Sequence, residues 1–285
     1  MKIDCIYIGC HKGDIRFTRV LVASIRNWHS DIKISLIKDE SSGKFDTTDI
    51  ERSGNVSLLQ GLTTTGSLSK LEAMSFDSSR KRILYLDSDI AFLGPLLETL
   101  ECYDEDFIVA EQDFTPEQWN GLFFNMNRMQ QFDPLFFPAE FRFNSGQIVF
   151  TSGIIKKADY QELIVRRGNS YVKRFPDVFY LRDQGIINYI ILKKLACSEI
   201  TVRRVPFRLR GTMSSLAGIQ LNTLNKEGYC GVLVHWSGEK PPHIRLRNFP
   251  GKEIFLFFEK KYYKNIFLGT LLRVLRSVWY LLQEN

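Results

Sequence analysis

Residues 82–96 read RILYLDSDIAFLGPL. An apolar run climbs to Asp87, one serine follows, then Asp89, and the chain turns apolar again. In an extended chain residues two apart point to the same side. Asp87 and Asp89 therefore share a side at the carboxyl end of a buried strand, the edge at which open α/β sheets bind ligands. Two carboxylates this close repel, and one must hold a proton unless a cation lies between them. A divalent ion that prefers oxygen ligands, Mg2+ or Mn2+, removes the conflict. The competing reading is a surface turn in which the aspartates cap the next segment. The apolar runs on both sides weigh against it.

Upstream, Ile3–Gly9 reads as a short buried strand, apolar and β-branched, closed by Gly9. Ile15–Trp28 sets Phe17, Val20, Leu21, Ser24, Ile25 and Trp28 at helical spacing, and Ile32–Ile37 is a second strand. Strand, helix, strand implies a right-handed crossover in a parallel sheet. Residues 39–66 are polar and rich in Ser, Thr and Gly, and read as mostly loop. Leu68–Ser79 reads as a helix, and Arg82–Leu86 and Phe107–Ala110 as strands. Downstream, Phe143–Thr151, Glu199–Val205 and Tyr229–His235 read as strands, and Ile154–Arg167 and Arg182–Leu195 as helices. The pattern to about residue 110 is an open nucleotide-binding α/β sheet, onto which the remainder builds to close the site. There is no internal repeat and no low-complexity tract.

The bulk numbers set bounds. A chain of 285 residues, 44% hydrophobic and 25% charged, suits one large domain or a domain with an appendage. The net charge of +6 fits an anionic small substrate or an anionic membrane surface. No block of interleaved basic and aromatic residues favours nucleic acid. Five cysteines, at positions 5, 10, 102, 197 and 230, form no CxxC pair. A zinc cluster or disulfide framework is not expected, and a reducing compartment is. The N-terminus, MKIDCIYIG, starts with strand-like alternation rather than a signal peptide, and no clean apolar span of membrane length occurs. The expected location is the cytoplasm.

Phosphatases of the haloacid dehalogenase kind also place DxD after an apolar strand. They do so on the first strand, with Thr or Val two residues after the second Asp; here two strands precede the motif and that position is Ala91. The sequence instead resembles a GT-A glycosyltransferase, most closely family 8, the glycogenin and lipooligosaccharide galactosyltransferase group. Four stretches carry the resemblance in order: RILYLDSDIAFLGPL, FNSGQIVF at 143–150, LRDQGIINYI at 181–190 and VHWSGEKPP at 234–242. It implies an α/β chain with the Rossmann-like nucleotide-diphospho-sugar transferase fold. It also implies a nucleotide-sugar donor, usually a UDP-sugar, a Mn2+ or Mg2+ ion, and retention of anomeric configuration.

The site residues follow from that resemblance. Asp87 and Asp89 hold the ion, with Ser88 between them at the donor. His235, after the apolar strand that ends at Val234, is the third ligand; alone, it would read as a strand-end histidine bonded to backbone. Gly238 lets backbone approach the phosphates and Lys240 brings them a point charge. One residue separates that pair, where the family commonly has two, and Pro242 stands where an aromatic is usual. Asn144 is expected on the sugar hydroxyls, with a turn around Gly146 as the alternative. Asp183 binds a donor hydroxyl or merely caps its helix, and Gln184 lies near the reacting carbon. Lys70 matches a basic residue near the donor, or is a solvated helix lysine. Backbone at Ile8, Gly9 and Cys10 reads the base and His11 stacks on it. Family members often carry an acidic residue and a tyrosine there, so the base stays unassigned.

Gln184 is a poor nucleophile, which favours a front-face mechanism in which the acceptor hydroxyl gives its proton to the departing phosphate. An inverting transferase would need a carboxylate base, for which Glu111 and Asp113 are placed. A sugar-nucleotide-binding scaffold without turnover is the non-enzymatic alternative. From Lys252 the composition shifts. Residues 252–285 mix large apolar side chains, including Tyr262, Tyr263 and Trp279, with Lys260, Lys261, Lys264, Arg273 and Arg276. They read as one or two amphipathic helices appended to a 1–251 domain. They are expected either to pack on it or, the preferred reading, to anchor it on an anionic membrane beside a glycan or glycolipid acceptor.

Overall fold

A computed structural model describes residues 1–64, 66–137, 139–167, 170–238, 249–264 and 266–283. Twelve strands appear among them: β1 Cys5–His11, β2 Lys33–Asp39, β3 Val56–Leu58, β4 Arg82–Asp87, β5 Ile90–Phe92, β6 Phe107–Ala110, β7 Gln147–Thr151, β8 Ile164–Arg167, β9 Ser170–Lys173, β10 Val202–Val205, β11 Arg208–Arg210 and β12 Leu233–His235. The main sheet has seven strands in the order β10-β6-β7-β4-β1-β2-β3. All neighbours are parallel except at β7, which runs antiparallel to β4 and β6. Strand order reverses between β1 and β4, so the crevice at their carboxyl ends is a topological switch point.

The central strands are apolar because helices cover both faces. Ile6, Ile8, Leu84 and Leu86 pack with the helix Ile15–Trp28 and with Phe255 and Phe258 of the helix Lys252–Lys264. Tyr7, Ile83 and Tyr85 point the other way, toward the helices Ser69–Ser75 and Gln184–Ala196. This strand alternation between two buried faces is what continuous hydrophobic runs predict.

Residues 39–66 are mostly loop, as expected, interrupted by the short helix Thr48–Glu51 and by β3, a three-residue edge strand with one buried side chain, too short for a pattern to emerge. Several other expectations need correction. Ile154–Arg167 is not one helix. A single turn, Lys157–Tyr160, gives way to β8, which forms a hairpin with β9. The strand expected over Phe143–Thr151 begins at Gln147, because residues 143–146 turn. The second half of the chain does more than build onto the sheet: β7 inserts between β4 and β6.

A second sheet, β11-β12-β5, adjoins the first. After β4 the chain passes through Ser88 and Asp89 and enters β5, where Ile90 pairs with His235 of antiparallel β12. The carboxylate pair thus sits where one continuous chain leaves one sheet for the other. The C-terminal residues form two helices, Lys252–Lys264 and Gly269–Gln283. The first is partly core: Phe255 and Phe258 are fully buried and Glu259 makes a 2.6 Å ion pair with Arg16. Among the described residues no helix is long and apolar enough to cross a membrane.

Candidate active site

Two strand pairings assemble the centre. In the main sheet Leu86 faces Gln147, and Asp87 N donates to Gly146 O at 2.7 Å. In the second sheet the Ile90–His235 pairing, with Trp236 N on Asp89 O at 2.9 Å, brings the imidazole to Asp89. His235 Nε2 lies 3.3 Å from Asp89 Oδ1, and ligand atoms of Asp87, Asp89 and His235 all fall within 4.8 Å of one another. One imidazole and two carboxylates suit a borderline ion such as Mn2+.

The imidazole's other nitrogen sharpens the fit. His235 Nδ1 lies 2.7 Å from Gln147 Oε1 and 3.3 Å from Arg208 Nε. One nitrogen can donate to the first or accept from the second. The shorter contact selects donation, which leaves Nε2 bare and aimed at a carboxylate 3.3 Å away. Two lone pairs facing each other need a proton or a cation between them, and Asp87 on the third side makes a metal the better filler. Gln147 thereby fixes the tautomer a ligating histidine requires.

Gly146 is there for space. A Cβ on it would lie 2.5 Å from both Asp87 Oδ2 and His235 Cε1. Its φ is not in the left-handed region, so close approach rather than backbone conformation is the reason for glycine. Gly9 plays a similar part: a Cβ there would meet the Tyr85 hydroxyl at 2.4 Å. That hydroxyl donates to Asp87 Oδ1 at 3.1 Å. Burial, then the Asp87 and Asp183 charges, push the Tyr85 phenol well above its ordinary range.

Lys70 is buried, not a solvated helix lysine. Its Nζ sits 2.9 Å from Asp183 and 3.3 Å from Asp87, and donates to Ser145 O at 2.8 Å. Burial pushes the ammonium's pKa down, but Asp183 and Asp87 outweigh it and the net direction is up. Asp183 stands at the helix cap position yet makes no capping bond; its carboxylate accepts from Ser145 Oγ at 2.8 Å. The cap reading is therefore wrong. Gln184 Oε1 accepts from Ser145 N at 3.4 Å and its Nε2 donates to Leu122 O at 3.3 Å. Asn144 Oδ1 accepts from Gly146 N, closing a small turn, and Asn188 clamps the backbone of Phe143 from both sides. Leu181 and Arg182 hold φ of +36° and +52° immediately before Asp183. Non-glycine residues there are strained, as is common where a site dictates the backbone.

Beside this cluster, at the carboxyl ends of β1 and β2, lies a cavity of about 420 Å3 lined by His11, Asp39, Gly66, Tyr171, Lys173 and Arg182 among others. His11 is held at its rim by Asp14, 2.7 Å from Nε2, and by Gly13 N on Nδ1. Ser88 Oγ donates to the same Asp14 carboxylate. Ile8 and Cys10 turn their side chains into the core, and the ladder with β2 continues through His11. Tyr171 and Lys173 were not anticipated: the helix expected over Ile154–Arg167 covers only β8, and the strand that carries them, β9, lies beyond it. The Gly168-Asn169 dipeptide, a hairpin signal, marks the hairpin in the sequence. Gly238 has φ of +119°, open only to glycine. Lys240 lies outside the described residues. Glu111 and Asp113, the carboxylates weighed as a base, both face Arg204, at 3.4 and 3.8 Å.

A switch-point crevice with a DxD at its edge and a sequence-distant histidine beside it fits the GT-A fold. No protein-family model matches the sequence, and no curated protein matches it. Solved structures do. The chain is similar to the galactosyltransferase LgtC in complex with donor and acceptor sugar analogues, with TM-score 0.55, 14% identity and 89% and 94% of the two chains covered. It is similar to the bifunctional glycosyltransferase WbbM, with TM-score 0.61, 14% identity, 97% of this chain and 52% of that one. It is also similar to the glycosyltransferase GlyE of Streptococcus pneumoniae TIGR4, with TM-score 0.53, 14% identity, 98% and 64% covered. At these identities the likeness establishes the fold.

Proposed function

We propose that the chain is a metal-dependent, retaining glycosyltransferase that moves a hexose from a nucleotide diphosphate sugar, a UDP-hexose, to a hydroxyl of a glycan or glycolipid. The observation that carries this reading is the convergence of Asp87, Asp89 and His235 within 4.8 Å at the sheet's switch point, with an open cavity at the neighbouring carboxyl ends of β1 and β2. These three side chains would hold Mn2+ or Mg2+, which supplies Lewis-acid stabilisation of the leaving diphosphate.

The chain's own residues do the rest. Gln147 and Gly146 keep the histidine and the aspartate in place. Lys70 locks Asp183 and Ser145 into one rigid unit, so the groups facing the sugar are set before the donor arrives. Gln184 presents a neutral amide. With Asp183 tied to Lys70, no free carboxylate stands beside Gln184 among the described residues to act as nucleophile. That supports front-face transfer in which the acceptor hydroxyl's proton goes to the departing phosphate. The nucleoside is assigned to the cavity rimmed by His11 and Tyr171.

The exposed apolar side chains Phe267, Leu268, Leu271, Val274, Leu275 and Val278 support attachment to a membrane. Leu271, Val274, Leu275 and Val278 recur at helical spacing on one face of Gly269–Gln283, and Phe267 and Leu268 precede it. The five unpaired cysteines fit a reducing compartment. Together they support a location on the inner face of a bacterial membrane and a lipid-linked acceptor such as a lipopolysaccharide or capsule intermediate.

The test is a thermal-shift panel of nucleoside diphosphates with and without Mn2+. Stabilisation by one nucleotide only when metal is present is the expected result. Stabilisation that ignores metal, or none from any nucleotide, refutes the donor assignment. The anomeric coupling of the product then decides between retention and inversion.

A further inference from the structure

A second cavity, of about 1070 Å3, opens between the helix Ile15–Trp28, the segment 49–53 and the two C-terminal helices. It shares no lining residue with the donor cavity. Resting on the membrane reading above, we propose that it is a binding site for the headgroup of one anionic phospholipid molecule, whose acyl chains leave along the apolar face of Gly269–Gln283.

Charge carries the first half. Arg26, Arg52, Lys261 and Lys264 all line the cavity. The carboxylate there, Asp49, is already saturated: Arg19 reaches it at 2.9 Å, Arg276 at 2.7 Å and the Tyr262 hydroxyl at 2.8 Å. It cannot neutralise the others. Arg26 spends its terminal nitrogens on the backbone carbonyls of His29, Ile32, Gly54 and Asn55, and its buried Nε has no hydrogen-bond partner. The acid whose charge acts on it is the exposed Asp31. Lys261 bonds to Asn27, a neutral amide. Arg52 and Lys264 are exposed and make no side-chain hydrogen bond or ion pair among the described residues. Lys261 and Lys264 repel, and an anion between them removes that repulsion.

The apolar surroundings carry the second half. Ile266 and Phe267 line the same cavity, and Phe267 is 92% exposed. From this rim the exposed stripe Leu268, Leu271, Val274, Leu275 and Val278 runs down the last helix. Positive charge at one end of a continuous apolar track matches an amphiphile with an anionic head. A nucleic acid would leave the track wet, and a free phosphate would leave it unused.

The full chain is titrated calorimetrically with dihexanoyl phosphatidylglycerol below its micelle concentration, with dihexanoyl phosphatidylcholine, and with inorganic phosphate. The expected result is saturable binding of phosphatidylglycerol at a single site, with the other two binding roughly tenfold more weakly or not at all. The double variant Arg52→Glu/Lys264→Glu should weaken phosphatidylglycerol by roughly tenfold or more, from two reversed charges, and leave the metal-dependent nucleotide shift unchanged. Equal binding of the two lipids, or of lipid and phosphate, overturns the proposal, as does a double variant that binds like the parent. The comparison of ligands on the unaltered chain stands even where the variant folds poorly. Sedimentation with phosphatidylglycerol vesicles separates the two levels. Vesicle binding without single-site lipid binding overturns the cavity and spares the membrane reading; no vesicle binding removes both.

Discussion

At the scale of single residues, the centre depends on two positions that touch no substrate. Gly146→Ala puts a methyl 2.5 Å from Asp87 Oδ2 and His235 Cε1. Alanine can take this backbone angle, so the damage is a displaced ligand set rather than a strained turn. Calorimetry should show divalent-metal affinity lowered by roughly 10–100-fold, the usual cost of disturbing groups that orient ligands. Gln147→Leu removes the partner that keeps the proton on His235 Nδ1 and should lose affinity within the same range of about 10–100-fold. Gln147→Glu, which still accepts that proton, should keep it. Equal affinities for Gln147→Leu and the parent would disprove the tautomer argument. The candidate ligands Asp87 and Asp89 were legible in the sequence because charge at the end of an apolar run is conspicuous, and His235 through the family resemblance. Gln147 and Tyr85 were not: each occupies one place in a buried strand's alternation, and only the pairing of strands reveals what it faces.

At the scale of elements, the two C-terminal helices have different jobs. Lys252–Lys264 buries Phe255, Phe258, Tyr262 and Tyr263 and seats Glu259 against Arg16 at 2.6 Å. Removing one partner of a buried ion pair typically costs about 3–5 kcal/mol, because the other charge is stranded. Glu259→Ala should lower unfolding stability by that order in urea titration, and Arg16→Met/Glu259→Leu should recover much of it. A chain cut after residue 251 should therefore lose cooperative unfolding. A chain cut after Lys264 should keep its melting transition and metal-dependent nucleotide shift while losing vesicle binding. If both truncations melt as the full chain does, the packed helix contributes nothing. Sequence periodicity marks both segments as amphipathic. It cannot say whether the partner of an apolar face is protein or lipid, because both reward the same pattern. The β8–β9 hairpin was missed for a related reason: β8 is only four residues long, too short for its period to declare itself within Ile154–Arg167, and only the pairing with Ser170–Lys173 decides.

At the scale of the whole molecule, the topology was legible as far as the strand–helix–strand pattern extends. The antiparallel insertion of β7 was not, because it joins segments far apart in sequence, Leu86 with Gln147 on one side and Phe107 with Phe150 on the other. That two-sided burial of the central sheet has a consequence in alkaline solution. Burial pushes the Cys10 thiol from its ordinary 9.0 up to about 11, and the Tyr7 phenol from 10.0 up to about 12. Burial raises Tyr85 and Tyr262 as well. In each case the folded chain holds a proton that the unfolded chain releases at lower pH. Their contribution to stability is thus whole below the unfolded values, and it drains away as pH rises toward the folded ones. For Cys10 the displacement corresponds to about 3 kcal/mol, lost between pH 9 and about 11. Urea midpoints under reducing conditions should therefore fall steeply across that interval. Cys10→Ala removes the thiol and should flatten the slope while costing stability at neutral pH through the cavity it leaves. An unchanged slope in that variant would show that the buried thiol does not govern the alkaline limit, and would hand that role to the three tyrosines.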